Sequence, residues 1–138
     1  MEQKIIVGGI LMIHKLGQVM LYITNQDKAV EFWSDILGFS IIADQKEHGM
    51  RWIELSPSKA ADAGTNIILH NKELIAKMSP ELNLGTPSLM FFSDNLDQLY
   101  IGLKDKGITV GELVQMGTNR IFNFADYEGN YFAVMEKK

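Results

Sequence analysis

The chain has 138 residues, of which 46% are hydrophobic and 22% charged, and a formal net charge of −4. That length suits a single domain, and the composition is ordinary for a globular protein, which excludes a disordered chain, a collagen-like chain and a coiled coil. The acidic balance repels phosphate backbones and argues against a nucleic-acid partner. The absence of cysteine removes disulfides, thiolate metal sites and cysteine nucleophiles, and it fits a cytoplasmic protein.

In chain order, the first feature is the apolar run Ile5 to Ile13. It is far shorter than the ~20 residues a bilayer span needs, and no small-residue cleavage site follows it, so neither a membrane partner nor a signal peptide is expected. Met12 is a second candidate for the natural start, which would make residues 1–11 an N-terminal extension. Residues 18–23, QVMLYI, read as a strand rich in β-branched and aromatic side chains. Asn25 and Asp27 then offer a cap and an acidic first turn. Ala29, Phe32, Trp33 and Ile36 hold the i, i+3, i+4, i+7 spacing of an amphipathic helix, predicted over 27–37 and ended by Gly38. Strands are predicted at 39–43, 51–55 and 66–70, separated by a polar turn at 45–49 and a loop at 59–64.

A linker with Pro80, Gly85 and Pro87 occupies 72–87, and then the pattern starts again. A strand is predicted at 88–93. A helix follows at 95–106, with Asn95 as its cap, Leu96, Leu99, Tyr100 and Leu103 as its stripe and Gly107 as its end. Further strands are predicted at 108–115, 120–125 and 130–136. The order β-α-β-β-β thus occurs twice, over 12–71 and 88–138, within one structural domain. The halves correspond at an offset of 70 up to the helix (Gln18 with Ser88, Asn25 with Asn95) and 69 after it (Gly38 with Gly107).

Four stretches carry a resemblance: NQDKAVEFWSDILGF at 25–39, GMRWIEL at 49–55, SDNLDQLYIGLKDKGI at 93–108 and DYEGN at 126–130. In this order they resemble the motifs of the glyoxalase/bleomycin resistance/dioxygenase proteins, the vicinal oxygen chelate superfamily, in its bacterial single-chain two-module type. The resemblance spans about residues 12–137 and implies an α+β fold. Two βαβββ modules would form a curved, mixed and mostly antiparallel eight-stranded sheet, a cup with the helices on its convex side. It also implies a small organic molecule in the cup and a homodimer, to which edge strands and the apolar Phe122 and Phe124 would contribute.

The metalloenzymes of that superfamily use a metal to polarise vicinal oxygens. Carried over residue by residue, their four ligand positions fall on Gln18, Ile68, Ser88 and Ala133. Gln18 is a plausible ligand and Ser88 a poor one, while Ile68 and Ala133 offer no lone pair. No metal or other cofactor is therefore expected. A divalent metal on relocated ligands, Gln18, Glu54 and His70, is the alternative.

Strand alternation puts Gln18, Met20 and Tyr22 on one face, and likewise Ser88, Met90 and Phe92, and Asn66, Ile68 and His70. With Trp52 they are expected to line a ligand pocket of apolar and aromatic groups with a few polar anchors. Glu54 shares the side of Trp52 and is the candidate catalytic residue, as a general base. Its plainer reading is a surface glutamate, or a partner for Arg51 or Arg120. The plainer reading of His70 is a strand-end residue meeting solvent. His14 has no evident partner, and His48 belongs to the polar turn. Three functions remain open: a small-molecule-binding protein or metal-independent enzyme, a metal-dependent lyase, isomerase or ring-cleaving dioxygenase, and a non-catalytic interaction module.

Overall fold

Val19, Leu21 and Ile23 alternate with Gln18, Met20 and Tyr22, which gives an extended segment one face to bury and one to leave open. In the computed structural model, which describes residues 12–57 and 64–137, this segment is β1 (Gln18–Ile23). Next come α1 (Gln26–Val30), its π-helical continuation (Glu31–Ile36), β2 (Ser40–Glu47), β3 (Met50–Ser56) and β4 (Asn66–Asn71). After α2 (Lys72–Met78), the second half holds β5 (Met90–Ser93), α3 (Leu96–Asp105), β6 (Val114–Met116), β7 (Asn119–Ala125) and β8 (Tyr131–Glu136).

The fold is α+β, with the βαβββ order repeated. Its eight strands divide between two four-stranded sheets, ordered β1-β4-β3-β2 and β5-β8-β7-β6, with no ladder joining them. In each sheet one pair is parallel, β1 with β4 and β5 with β8, and the other pairs are antiparallel. No helix among the described residues is long and apolar enough to cross a membrane.

Local chemistry explains where the elements depart from expectation. β2 runs on through the polar Gln45–Glu47, because His48 and Gly49, with φ of 53° and 78°, close a tight hairpin of the kind that needs two positive φ values. The segment 72–78, inside the expected linker, is helical. Asn71 caps it by accepting a hydrogen bond from the Leu74 N–H at 3.0 Å. Of the strand expected at 108–115, only Val114 and Gln115 lie in a ladder, with one bridge from Val110 to Phe124. Ile108 serves the end of α3 instead. Its N–H reaches the Leu103 carbonyl at 2.9 Å and Gly107 N–H reaches Lys104 at 3.0 Å, a Schellman cap with Gly107 at φ 77°. Asn25 caps α1 with its side chain as expected, but Asn95 makes no side-chain cap. The extension 1–11 and loop positions 59–63 lie outside the described residues.

One core joins both sheets. Leu21, Ile23, Ile53, Leu55 and Leu69 of the first meet Phe122, Phe124, Phe132 and Val134 of the second, with Phe32 and Trp33 among them. Phe32 and Trp33 are consecutive, yet both are 0% exposed. They hold the i+3 and i+4 places of the helix stripe that begins at Ala29, in a π-helical turn where the Leu37 N–H donates to the Phe32 carbonyl five residues back at 3.1 Å. Trp33 meets Phe39, Phe91 and Phe132 edge-on at 5.2, 5.9 and 5.3 Å between ring centroids. Phe122 and Phe124, expected to offer surface for a dimer, are 1% exposed, because their side of β7 faces this core.

A repeated ion-pair device ties each helix to its sheet. Arg51 holds Asp27 of α1 at 2.6 Å and grips Asp44 at 2.9 and 2.8 Å. Arg120 holds Asp97 of α3 at 2.9 and 3.0 Å and Glu136 at 3.2 and 2.7 Å. The two halves are also joined through Glu128, whose carboxylate accepts from the Thr24 N–H at 3.0 and 3.1 Å and from the Asn25 N–H at 2.8 Å.

Trp33→Ala is expected to cost about 3–5 kcal/mol in urea denaturation, the usual range for emptying a buried aromatic site. Ile101→Ala, at a position 57% exposed on α3, is expected to stay within about 0.5 kcal/mol.

Candidate functional site

The pairing register decides which side chains meet. Gln18 lies opposite Asn66, Met20 opposite Ile68 and Tyr22 opposite His70 across β1 and β4. Across β4 and β3, His70 lies opposite Trp52 and Ile68 opposite Glu54. With the period of two, these residues share the side of the first sheet that faces away from the core. The structure therefore brings together Gln18, Met20, Tyr22, Trp52, Glu54, Asn66 and His70.

The face is graded from dry to wet. Asn66 and Ile68 are buried, Tyr22, Trp52, Glu54 and His70 are half-buried, and Gln18 and Met20 are exposed. Asn66 Nδ2 donates to Glu54 Oε2 at 2.8 Å and so fixes the carboxylate. Glu54 pairs with neither arginine, since Arg51 and Arg120 are engaged in the helix clamps. The Tyr22 and His70 rings stack, with centroids 6.1 Å apart and planes 20° from parallel. His70 Nδ1 is buried without a hydrogen-bond partner, and burial pushes the His70 pKa below the ordinary 6.5. His70 is thus a covered, neutral imidazole rather than the solvated strand end that its position suggested. His14 and His48 are exposed.

The second sheet presents a different face. Met90 lies opposite Ala133 and Phe92 opposite Met135, while Ser88 precedes β5. Phe92 is 61% exposed, and the Lys137 ammonium sits 4.7 Å from its ring centre. Both sheets turn their inner faces onto the core that holds Phe32 and Trp33, so their open faces point away from it. Among the described residues, no hydrogen bond or ring contact joins Gln18, Tyr22, Trp52 or Glu54 to Met90 or Phe92.

The metal that the resemblance implies does not fit these residues. Ile68 and Ala133 have no donor atoms. Gln18 and His70 stand at opposite ends of the face, four residues or about 13 Å apart along the strands. Among the described residues, no group of three or more His, Asp or Glu is placed to hold an ion.

A cleft of about 680 Å³ that the sequence pattern does not announce lies at the end of β5, lined by Leu37, Phe39, Phe91, Phe92, Leu99 and Phe124 with Asp94 and Lys137. Apart from Phe92, those apolar residues give no functional signal in sequence, because they read as core, and they also pack the core. The open face of the first sheet carries fixed hydrogen-bonding groups, Asn66 and Glu54, beside its rings and is the stronger candidate site.

Residues 15–134 match the family model described as the Glyoxalase/Bleomycin resistance protein/Dioxygenase superfamily. The Bacillus subtilis (strain 168) proteins YetH and YurT, both described as uncharacterized, are each 31% identical to this chain. The YetH match covers 91% of this chain and 100% of that protein. The YurT match covers 89% and 99%. The crystal structure of TnmS3, an antibiotic binding protein from Streptomyces sp. CB03234, aligns with a TM-score of 0.75 at 23% identity, covering 94% of this chain and 100% of its own. A member of the same superfamily from Sphaerobacter thermophilus DSM 20745 aligns at 0.74 with 24% identity, covering 92% and 100%. At these identities the structural likeness bears on fold.

His70 is expected to titrate by NMR with a midpoint below 6.5, and Tyr22→Ala, which uncovers the ring, to move the midpoint up. The unfolded chain binds this proton more readily than the folded one, so the histidine's contribution to stability is expected to fall as pH drops through 6.5.

Proposed function

Because the chain belongs to the glyoxalase/bleomycin resistance protein/dioxygenase superfamily, we propose that it binds a small organic molecule, without a metal, on the open face of its first sheet. One observation carries this reading: Tyr22, His70 and Trp52 are half-buried in one cross-strand row facing away from the core, and Glu54, held by Asn66, stands in the next row along β3. Half-exposed rings add nothing to core packing there. An aromatic surface with a few fixed polar groups is the usual chemistry of a ligand site. Gln18 and Met20 extend the face along β1, and the likeness to an antibiotic binding protein supports the same reading. Glu54 accepts from an amide rather than from His70, so its environment favours holding a ligand over shuttling a proton. The cysteine-free composition supports a cytoplasmic location.

The second sheet supplies the argument for a homodimer. Phe92 and Tyr131 are 61% and 59% exposed, and Met90, Val114 and Met116 are exposed beside them. Such a patch marks an interaction surface, and a second copy related by a two-fold axis is the commonest way to cover one. In this reading the apolar second sheet of one copy closes over the first sheet of the other, and the ligand lies between them.

The chain has two tryptophans, so Trp33→Phe leaves Trp52 as the sole reporter. Native mass spectrometry of protein purified without a tag is expected to show a co-purified organic molecule. Its rebinding is expected to shift Trp52 emission and to be insensitive to a chelator. Trp52→Ala, followed by calorimetry, is expected to weaken binding about tenfold or more with the fold intact. A stoichiometric metal required for binding would overturn the reading. Light scattering is expected to give a two-chain mass, and Phe92→Asp to give monomers.

A further inference from the structure

Glu54 is a half-buried carboxylate whose partner among the described residues is the neutral Asn66 amide at 2.8 Å. A carboxylate partly shielded from water is stabilised most by an opposite charge, and the described residues bring none to it. Arg51 and Arg120 are the only arginines in the sequence, and both are committed to Asp27, Asp44, Asp97 and Glu136. On the open side of the first sheet, the charged strand positions are Glu54 and, at the far end of β2, Glu47. No lysine or arginine stands there. The next lysine, Lys72, begins α2. It lies four residues past Ile68, the residue opposite Glu54, or about 13 Å along the strand, and it lines a cleft with Tyr22, Thr24 and Glu128 at that far end. His70 adds no positive charge near neutral pH.

The surroundings of this carboxylate are aromatic. Trp52 precedes Glu54 by two residues on the same side of β3, about 6.6 Å away along the strand. The stacked Tyr22 and His70 rings lie beside Trp52. Ring faces attract cations, most strongly where water is partly excluded. The second sheet already shows this contact. Phe92 occupies the position that Tyr22 holds in the first half, and the chain's own Lys137 ammonium covers its ring at 4.7 Å. Among the described residues, no lysine or arginine covers the ring of Trp52 or Tyr22 in this way or pairs with Glu54.

Resting on the reading that this face binds a small molecule, we propose that the ligand is an organic cation with an aromatic body. Its positive charge lies against Glu54, and its ring lies against Trp52 and Tyr22. The net charge of −4 favours its approach from solution.

Three bicyclic probes of similar shape test the charge: N-methylquinolinium, neutral quinoline and anionic 1-naphthoate. Each is followed by Trp52 emission in Trp33→Phe protein at mildly alkaline pH. N-methylquinolinium is expected to bind about tenfold more tightly than quinoline, and naphthoate the most weakly. Glu54→Gln keeps an acceptor for Asn66. It is expected to abolish the cation's advantage while leaving quinoline's affinity within about twofold. Rising ionic strength is expected to narrow the same gap with Glu54 in place, a readout that does not depend on the variant folding. Equal affinity for the cation and the neutral probe, or a preference that survives Glu54→Gln, would overturn the cation assignment and leave the small-molecule reading standing. Failure of all three probes to bind at millimolar concentration would overturn both.

Discussion

The structure depends on two consecutive aromatic residues being buried together. Phe32 and Trp33 belong to the first half of the chain, but their rings pack against Phe124, Phe91 and Phe132 of the second. An α-helical turn points neighbours about 100° apart, so Phe32 and Trp33, at i+3 and i+4 from Ala29, share one apolar stripe. The helix carries them in its π-helical turn, Glu31–Ile36. Burying the Trp33 indole leaves its Nε1 with no hydrogen-bond partner among the described residues. An unmade hydrogen bond costs about 1–3 kcal/mol. Burying an indole removes roughly 200 Å² of surface, worth about 5 kcal/mol at the usual coefficient. The packing wins, and the helix becomes the joint between the two sheets.

With α1 fixed in that joint, the remaining contacts position what lies on either side of it. Arg51 and Arg120 perform the same task in the two halves, each drawing the first-turn aspartate of its helix onto the third strand of its sheet. Arginine suits the role, because its planar fork grips two carboxylates at once. In each sheet the inner face is thereby committed to the helices and the core. The open face is freed from any structural duty, which is where the halves diverge. The first sheet carries Glu54, Asn66 and His70 among its rings, whereas the second carries Met90, Phe92, Ala133 and Met135.

Much of this was legible in the sequence because it rests on period. The apolar stripe of α1 and α3 follows from 3.6-residue spacing, and the sidedness of β1 and β4 from alternation. What escaped was set by contacts without a period. α2 buries none of its residues, so it has no stripe to read and announces itself only by the Asn71 cap. The run Ile108-Thr109-Val110 has strand-like composition, but Ile108 is spent on the cap of α3, a demand that β-propensity does not register. The Arg51 and Arg120 clamps left a signal that went unused, since arginine recurs at an offset of 69 and the helix aspartate at 70. The covering of His70 needed the cross-strand register, which places Tyr22 and Trp52 on either side of it.

The same register explains why this face is better suited to a ligand than to an ion. A metal site in this fold draws one donor from each of several strands to a single point, and Ile68 and Ala133 interrupt that convergence in both halves. Ile68 also pairs with Glu54 in β3 and with Met20 in β1. At this position an aliphatic side chain forms a dry floor between the two strands. A dry floor weakens water's competition for every polar group around it, so the Asn66–Glu54 hydrogen bond and the faces of Trp52 and Tyr22 interact more strongly with whatever covers them. Ile68 thus acts twice in the proposed site: it offers no lone pair to an ion, and it lowers the local dielectric beside Glu54, where ring and carboxylate contacts gain strength.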